Sequence, residues 1–430
     1  MNKIDRLLQT LAPDGVEFRK LGDIGEFYGG LVGKSKKSFS QGNKFYVPYI
    51  NVFNNPQLDL NALESVQIGD KEKQNTIQLG DVLFTGSSEN LEDCAMSCVV
   101  TQKIEEDIYL NSFCFGFRFF DKNLFNPSFL KHFLRDYNFR KNISKVANGV
   151  TRFNVSKQLL SKITIPIPPL EVQQEIVKIL DAFTELNTEL NTELKARKKQ
   201  YQYYQNMLLD FNDINSNHKD AKEKLAHKTY PKRLKTLLQT LVPKGVEFRK
   251  LGEVCDFQKG KSITKKAVTL GKVPVISGGR QPAYYHNEAN RSGETIAISS
   301  SGVYAGYVSY WDIPVFLADS FSVSPKQKTL MPKYLFHYLT TQQDAIHATK
   351  SAGGIPHVYS KDLQNFLIPI PPLEIQQEIV KILDQFSLLT TDLLAGIPAE
   401  IKSRKKQYEY YREKLLTFKP LTPHKEVKKC

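Results

Sequence analysis

Wherever the apolar runs of this chain stop, short segments rich in Gly, Lys and Ser take over. In the first half they are GGLVGKSKK (29–37), TGSSE (85–89) and KVANGVTRFNVS (145–156). In the second they are KGKSITKK (259–266), SGGRQPAYY (277–285), SSSGVY (299–304) and KSAGGIPHVYSK (350–361). Glycine lets backbone N–H groups approach a phosphate, lysine neutralises it, and the fork and amide groups of Arg, Asn and Gln match the edges of bases. On that chemistry Asn148, Arg152 and Asn154 are the candidates for base contact in the first half, and Arg280, Gln281, His357 and Tyr359 in the second. Lys34, Lys36, Lys145, Lys261, Lys265 and Lys350 are the candidates for phosphate. The balance of 59 Lys and Arg against 45 Asp and Glu, a formal net charge of +14, suits such a polyanionic partner.

Catalytic and metal-binding patterns are not found. Asp14 and Glu17 resemble an acid cluster, but the chain repeats that stretch with Lys244 in place of Asp14, and the nuclease ExK spacing is missing. There is no GxxxxGK[ST] phosphate loop, no HExxH, and no [DNS]PP[YF] segment of the kind that holds a base for amino methylation; Asn55-Pro56-Gln57 does not fit. Cys94, Cys98, Cys114, Cys255 and Cys430 form no CxxC pairs and read as free thiols of a reducing compartment. The sequence therefore predicts no catalytic residue, no metal and no cofactor of its own. No apolar run approaches the ~18 residues of a membrane span and the N-terminus has no signal-like core, so a soluble cytoplasmic protein is expected.

The elements that position these loops are written twice. Residues 7–23 (LLQTLAPDGVEFRKLGD) return as 237–253 with 14 of 17 positions identical, and 165–183 (IPIPPLEVQQEIVKILDAF) return as 368–386 with 17 of 19 identical. The stretches enclosed by these segments scarcely resemble each other, so a duplicated frame holds two different inserts. Each insert carries short β-type runs (45–52, 81–84 and 113–120; 273–276, 295–298 and 315–317) and then a helix that begins with proline, 127–137 or 332–341. After each IPIPPLE a long amphipathic pattern opens. In the first copy Val172, Ile176, Ile179, Phe183, Leu186, Leu190 and Leu194 form a narrow stripe that Tyr201, Tyr204, Leu208 and Phe211 continue. In the second it runs through Ile375, Ile379, Ile382, Phe386, Leu389 and Leu393 to Tyr408, Tyr411, Leu415 and Phe418. Such stripes predict coiled-coil seams, and the first helix would be about 63 Å long at ~1.5 Å per residue. The first copy contains TELN-TELN-TELK at 184–195; the second has four more residues between Phe and Arg and should kink or break at Gly396-Ile397-Pro398. Residues 212–235 read most simply as a polar, lysine-rich, mobile connector, with a partly helical one as the alternative.

The PxGVEFRKLG segments, the IPIPPLExQQEIVKILD helix starts and the RKKQYxYY elements at 197–204 and 404–411 resemble the specificity subunit of type I restriction-modification enzymes over residues 7–418. The resemblance implies an α+β fold: two mixed α/β target-recognition domains joined by two long antiparallel coiled-coil helices in a pseudo-twofold duplication. It implies recognition domains at 1–168 and 237–371, helices at 169–211 and 372–418, a basic linker at 212–236 and a basic tail at 419–430. Its partners would be double-stranded DNA, two methyltransferase subunits that use S-adenosylmethionine, and two restriction-translocase subunits that can be added, with no membrane. Each recognition domain would read one half of a split, asymmetric site, and tetrapeptide repeats such as TELN would set the unread spacer. A coiled-coil scaffold without specific DNA reading is the alternative from another class.

Overall fold

The structure is a computed structural model that describes residues 3–39, 41–216, 220–326, 328–351, 354–391 and 396–421. The chain divides into two compact units, one formed by Met1–Leu190 with Ile401–Cys430 and the other by Asn191–Glu400. Five helices matter here: α1 (Pro127–Phe133) and α3 (Pro332–Thr341) of the inserts, and α2 (Leu170–Leu209), α4 (Leu373–Thr391) and α5 (Ile397–Leu416) of the frame.

In the first unit the strands are β1 (Glu17–Lys20), β2 (Gly25–Gly29), β3 (Lys44–Val47), β4 (Glu64–Val66) and β5 (Val82–Thr85). These are followed by β6 (Ser87–Ser88), β7 (Ser97–Val99), β8 (Ile108–Leu110) and β9 (Cys114–Phe119), then β10 (Ala147–Asn148), β11 (Phe153–Val155) and β12 (Thr164–Ile167). A four-stranded antiparallel sheet runs β2-β9-β5-β7, and a three-stranded sheet β4-β3-β8 lies beside it with β3 and β8 parallel. In the second unit the strands are β13 (Phe248–Lys250), β14 (Cys255–Lys259), β15 (Leu270–Ile276), β16 (Tyr284–His286) and β17 (Thr295–Ser299). They continue with β18 (Val308–Trp311), β19 (Phe316–Leu317), β20 (Ser320–Pro325) and β21 (Leu367–Pro369). Here β14-β20-β17-β18 and β16-β15-β19 repeat the two sheet orders, again with one parallel pair, β15 with β19. Two sequences that scarcely resemble each other thus fold to one topology.

The repeated segments close each insert by pairing with each other. VEFRK lies antiparallel to the strand before the PP turn, Glu17 opposite Ile167 and Lys20 opposite Thr164 in one unit, Phe248 opposite Pro369 and Lys250 opposite Leu367 in the other. A buried glutamine of each QQE then pins the start of the proline-initiated helix. Gln173 accepts from the Asn126 N–H at 2.8 Å and donates to the Leu124 and Pro168 carbonyls; Gln376 accepts from Met331 N–H at 2.8 Å and donates to those of Thr329 and Pro371. Backbone groups at a helix start have no intrahelical partner, so these amides satisfy what burial would otherwise strand.

The long helices do two jobs. Val172, Ile176 and Leu180 of α2 belong to the core of the first unit together with Leu415 and Leu416 of α5, and Ile375, Ile379 and Leu383 of α4 to that of the second together with Leu208 and Leu209 of α2, so the first turns of each stripe serve a head core and the predicted seam at once. The seam continues past them. In the first unit Phe183 stacks on Tyr411 of α5 with ring centroids 5.5 Å apart, and in the second Tyr204 of α2 stacks on Phe386 of α4 at 5.0 Å. The early half of α2 therefore meets α5 and its late half meets α4, which is the pairing of antiparallel helices. The expected interruption falls where α5 starts: Pro398 is its second residue, in the first turn, where a missing N–H costs nothing. Leu393 lies outside the described residues, as do Cys430 and the tail beyond residue 421, and the side chain of Leu389 is not described.

The connector is the clearest departure from expectation. Its described residues are folded, because a few apolar side chains among the lysines reach the core: Ile214, Leu225, Tyr230 and Leu234 are buried, and residues Ala221–His227 are helical as the alternative reading allows. The chain leaving α2 also pairs with the second frame, Val246 N–H donating to Ile214 O at 2.7 Å and Ser216 N–H to Val246 O at 2.9 Å. The chain leaving α5 does the same to the first frame, Val16 N–H donating to Lys419 O at 2.8 Å and Leu421 N–H to Val16 O at 2.9 Å.

Candidate nucleic-acid interface

In each unit the polar loops meet at one tight turn beside the central sheet. In the first unit the turn is residues 110–114: Gly30 N–H donates to Cys114 O, Leu31 N–H to Leu110 O, and Gly86 N–H to Phe113 O at 2.7 Å. In the second it is residues 317–320: Gly260 N–H donates to Ser320 O, Lys261 N–H to Leu317 O, and Ser300 N–H to Asp319 O. A Cβ on Gly30 would lie 2.1 Å from Asn111 O and one on Gly260 2.5 Å from Ala318 O, so only glycine permits this approach.

The later loops then dock on the earlier ones. In the first unit β10, β11 and β6 form a small antiparallel sheet with Asn148 opposite Asn154 and Asn154 opposite Ser87. The hairpin tip turns on Gly149, which has a φ of +139° and where a Cβ would lie 2.0 Å from the Arg152 carbonyl oxygen. Asn148, Arg152 and Asn154 are all exposed on this hairpin, and Arg152 Nε donates to Ser87 Oγ at 3.2 Å. Of the three, Arg152 borders a cleft of about 690 Å³ walled by Tyr49, Phe53, Phe113, Asn90 and Asp93. Lys145 is exposed on the preceding helix with its amine near Asn142 Oδ1, and Lys36 is exposed in a short 3₁₀ turn.

Lys34 does not join them. Its ammonium is held by Glu72 Oε2 and the Gln67 carbonyl, each at 2.6 Å, with only 8% of the side chain exposed. The bond from Lys34, with others from the Gly69 N–H and Gln74, pulls the Glu72 carboxyl down to about 2. This lysine is an internal ion-pair partner, and the phosphate role expected of it is withdrawn.

In the second unit Ser301 and His357 form a β-bridge, Val358 N–H donates to Ser300 O and Gly302 N–H to Pro356 O, so loops 299–304 and 350–361 run side by side. Arg280 lies over two rings, 4.9 Å from the centre of Tyr304 and 5.6 Å from that of Tyr307. The His357 and Tyr359 rings stack at 6.0 Å, and Lys361 lies over Tyr359. Gln281 is exposed beside Arg280, Lys261 and Lys265 are exposed on the first loop, and the Lys350 amine reaches Val303 O at 3.5 Å. The structure therefore brings Arg280, His357, Tyr359 and Lys350 to one loop cluster.

Sequence reading missed the aromatic side chains: Tyr49, Phe53 and Phe113 in one cluster, Tyr304 and Tyr307 in the other. The available signal was position, since Phe113 opens the run 113–120 and Tyr304 closes SSSGVY; stacking against an arginine or a base needs such faces. Ser301 also donates to Asp319, across eighteen residues. Among the described residues the cysteine thiols are all buried, and burial pushes those of Cys98, Cys114 and Cys255 up to about 12, which leaves them neutral hydrophobes at physiological pH. Among the described residues there is no group of three or more His, Cys, Asp or Glu arranged to hold a metal, and no helix long and apolar enough to cross a membrane.

Two α+β inserts with equivalent polar loop clusters, mounted on shared helices, define a duplicated recognition fold. The family model described as type I restriction modification DNA specificity domain matches residues 13–200 and again 243–403. A putative type I restriction enzyme specificity subunit of Haemophilus influenzae is 34% identical over 322 residues, covering 69% of this chain and 74% of the relative. The EcoR124I/EcoR124II specificity subunit of Escherichia coli is 32% identical over 297 residues, 62% of this chain and 66% of its own. Among solved structures, the type I restriction-modification S subunit from M. genitalium has a TM-score of 0.55 at 18% identity, with 94% of this chain and 96% of that chain covered. A chain from a study of complex assembly and conformational transition of the type I R-M system has a TM-score of 0.53, also at 18% identity, over 94% and 97%. The chain belongs to the specificity subunits of type I restriction-modification systems and carries two DNA specificity domains.

Proposed function

We propose that the chain reads a split, asymmetric DNA site, one half-site per insert domain, and presents two equivalent surfaces of its duplicated frame to two methyltransferase subunits. The observation that carries this reading is the pair of equivalent loop clusters built from unlike residues within an identical frame. Unlike clusters read unlike bases, and identical frames bind identical partners. In the first cluster Arg152, Asn148 and Asn154 face bases, with Lys36 and Lys145 toward phosphate. In the second Arg280, Gln281, His357 and Tyr359 face bases, with Lys261, Lys265 and Lys350 toward phosphate. The chain itself performs no catalysis in this reading: methylation is the partners' work with S-adenosylmethionine, and two restriction-translocase subunits join the same assembly in the cytoplasm. A scaffold that did not read DNA would have no use for two such clusters.

The test is to purify the chain with its methyltransferase partner and map the modified bases. A motif of two fixed blocks separated by a fixed unread spacer is expected, with affinity falling steeply as salt rises. A single contiguous block, or binding indifferent to sequence, would refute the reading.

A further inference from the structure

Outside the loop clusters, one buried polar network occurs twice. In the first unit His132 of α1 bonds through Nε2 to Asp181 Oδ1 of α2 at 2.7 Å and through Nδ1 to the Tyr408 hydroxyl of α5 at 3.1 Å. In the second unit His337 of α3 bonds through Nε2 to Asp384 Oδ1 of α4 at 3.0 Å and approaches the Tyr201 hydroxyl of α2 through Nδ1 at 3.4 Å. The two imidazoles are 5% and 2% exposed. A lysine on the insert helix joins each aspartate, Lys131 to Asp181 at 2.8 Å and Lys333 to Asp384 at 2.5 Å, although the two lysines occupy different helical positions.

The duplication serves as an internal control. Asp181 and Asp384, and Tyr408 and Tyr201, lie in the repeated frame, so their recurrence needs no further reason. His132 and His337 lie in the unlike inserts, in PSFLKHFL and PKYLFHYL, and recur at the same helical position. The two helices also share their proline, the buried pairs Leu130/Leu335 and Leu134/Leu339 and two aromatic positions, which serve the helix start and the core. The histidine is the polar side chain they share, and it bonds to both long-helix partners.

The tautomer that satisfies both bonds carries its proton on Nε2 toward the aspartate and accepts the tyrosine proton at Nδ1. Burial holds the His132 imidazole below its ordinary pKa, which favours that neutral form. Apolar helix contacts tolerate rotation and sliding at small cost, whereas a buried hydrogen-bonded chain has one good geometry.

We infer that this Tyr–His–Asp chain is a positioning device that fixes the register and rotation of each insert domain on the two long helices, and so the place where its loops meet DNA. The inference rests on the two-headed reading above. His132 and His337 are positioning residues, not DNA contacts.

The experiment uses the complex with methyltransferase and maps modified bases for the wild type, His132→Phe, His337→Phe and Asp181→Asn, with thermal unfolding alongside. The wild type is expected to modify sites of one spacer length. His132→Phe keeps the ring and deletes both bonds; it should still require the same bases in both half-sites, yet modify sites one base pair longer or shorter at rates within about tenfold of the original site, the scale of one mismatched base pair. His337→Phe should do the same, and Asp181→Asn, which keeps the accepting oxygen, should retain a single spacer. Should His132→Phe not fold, Tyr408→Phe removes one hydroxyl and gives the same reading. A folded variant with its single spacer intact overturns the positioning role, because a merely structural histidine would lower stability without widening the spacer. A wild type that shows no split motif overturns the two-headed reading, and this role with it.

Discussion

At the scale of residues, the side chains that hold this fold and those that face outward differ in how far their partners lie along the chain. Gln173 was visible as part of a repeated QQE, but its work, bonding to Asn126, Leu124 and Pro168, was not, because two of those partners lie more than forty residues away. Gln173→Ala would strand a buried amide and two carbonyls, and a loss of about 1–3 kcal/mol in urea unfolding is expected. Lys34 teaches the same lesson. Its segment reads as a phosphate loop, and only the folded chain brings Glu72 to it. Lys265→Ala should therefore reduce the salt dependence of DNA binding by about one unit of slope, and Lys34→Ala should leave it unchanged. The ion pair also fixes a sign in pH. The Glu72 carboxyl titrates below its ordinary range, so its contribution to stability is fully present above that range and is lost as pH falls toward about 2. Glu72→Gln should flatten the acid limb of a stability-versus-pH curve, while an unaltered limb would show that the pair is unimportant to folding.

Elements were legible wherever the chain repeats itself. Both long helices, their proline-marked starts and the α+β character of the inserts follow from spacing and duplication. The pairing of VEFRK with the strand before each PP turn does not, because register is a property of the closed insert; nor do the parallel pairs β3–β8 and β15–β19, which join strands far apart in sequence. The stripe on α2 reads as one seam, whereas its first turns also build the core of a head, which they share with Leu415 and Leu416 of α5 before Phe183 stacks on Tyr411. The TELN repeats begin at the residue after Phe183, within the continuous helix Leu170–Leu209. Deleting residues 184–187 removes about 6 Å of helix, close to two base steps at ~3.4 Å. Mapping the modified bases should show both half-sites intact and the spacer shortened; an unchanged spacer would mean that this helix does not measure distance.

For the whole molecule, the division of labour follows from the duplication. In the proposed reading the frame is the same in both copies because it meets the same partners, and the inserts differ because they read different bases. Each frame is completed by chain from elsewhere: Val246 pairs with the residues that leave α2, and Val16 with those that leave α5. The most direct measurement is therefore on a chimera in which residues 251–366 are replaced by residues 21–163, so that both frames carry the first insert. The frame predicts that the chimera, assembled with its methyltransferase, modifies an inverted repeat of the half-site read by the first insert, and that the half-site of the second disappears. Retention of the original asymmetric motif would contradict the claim that each insert carries its own half of the sequence information.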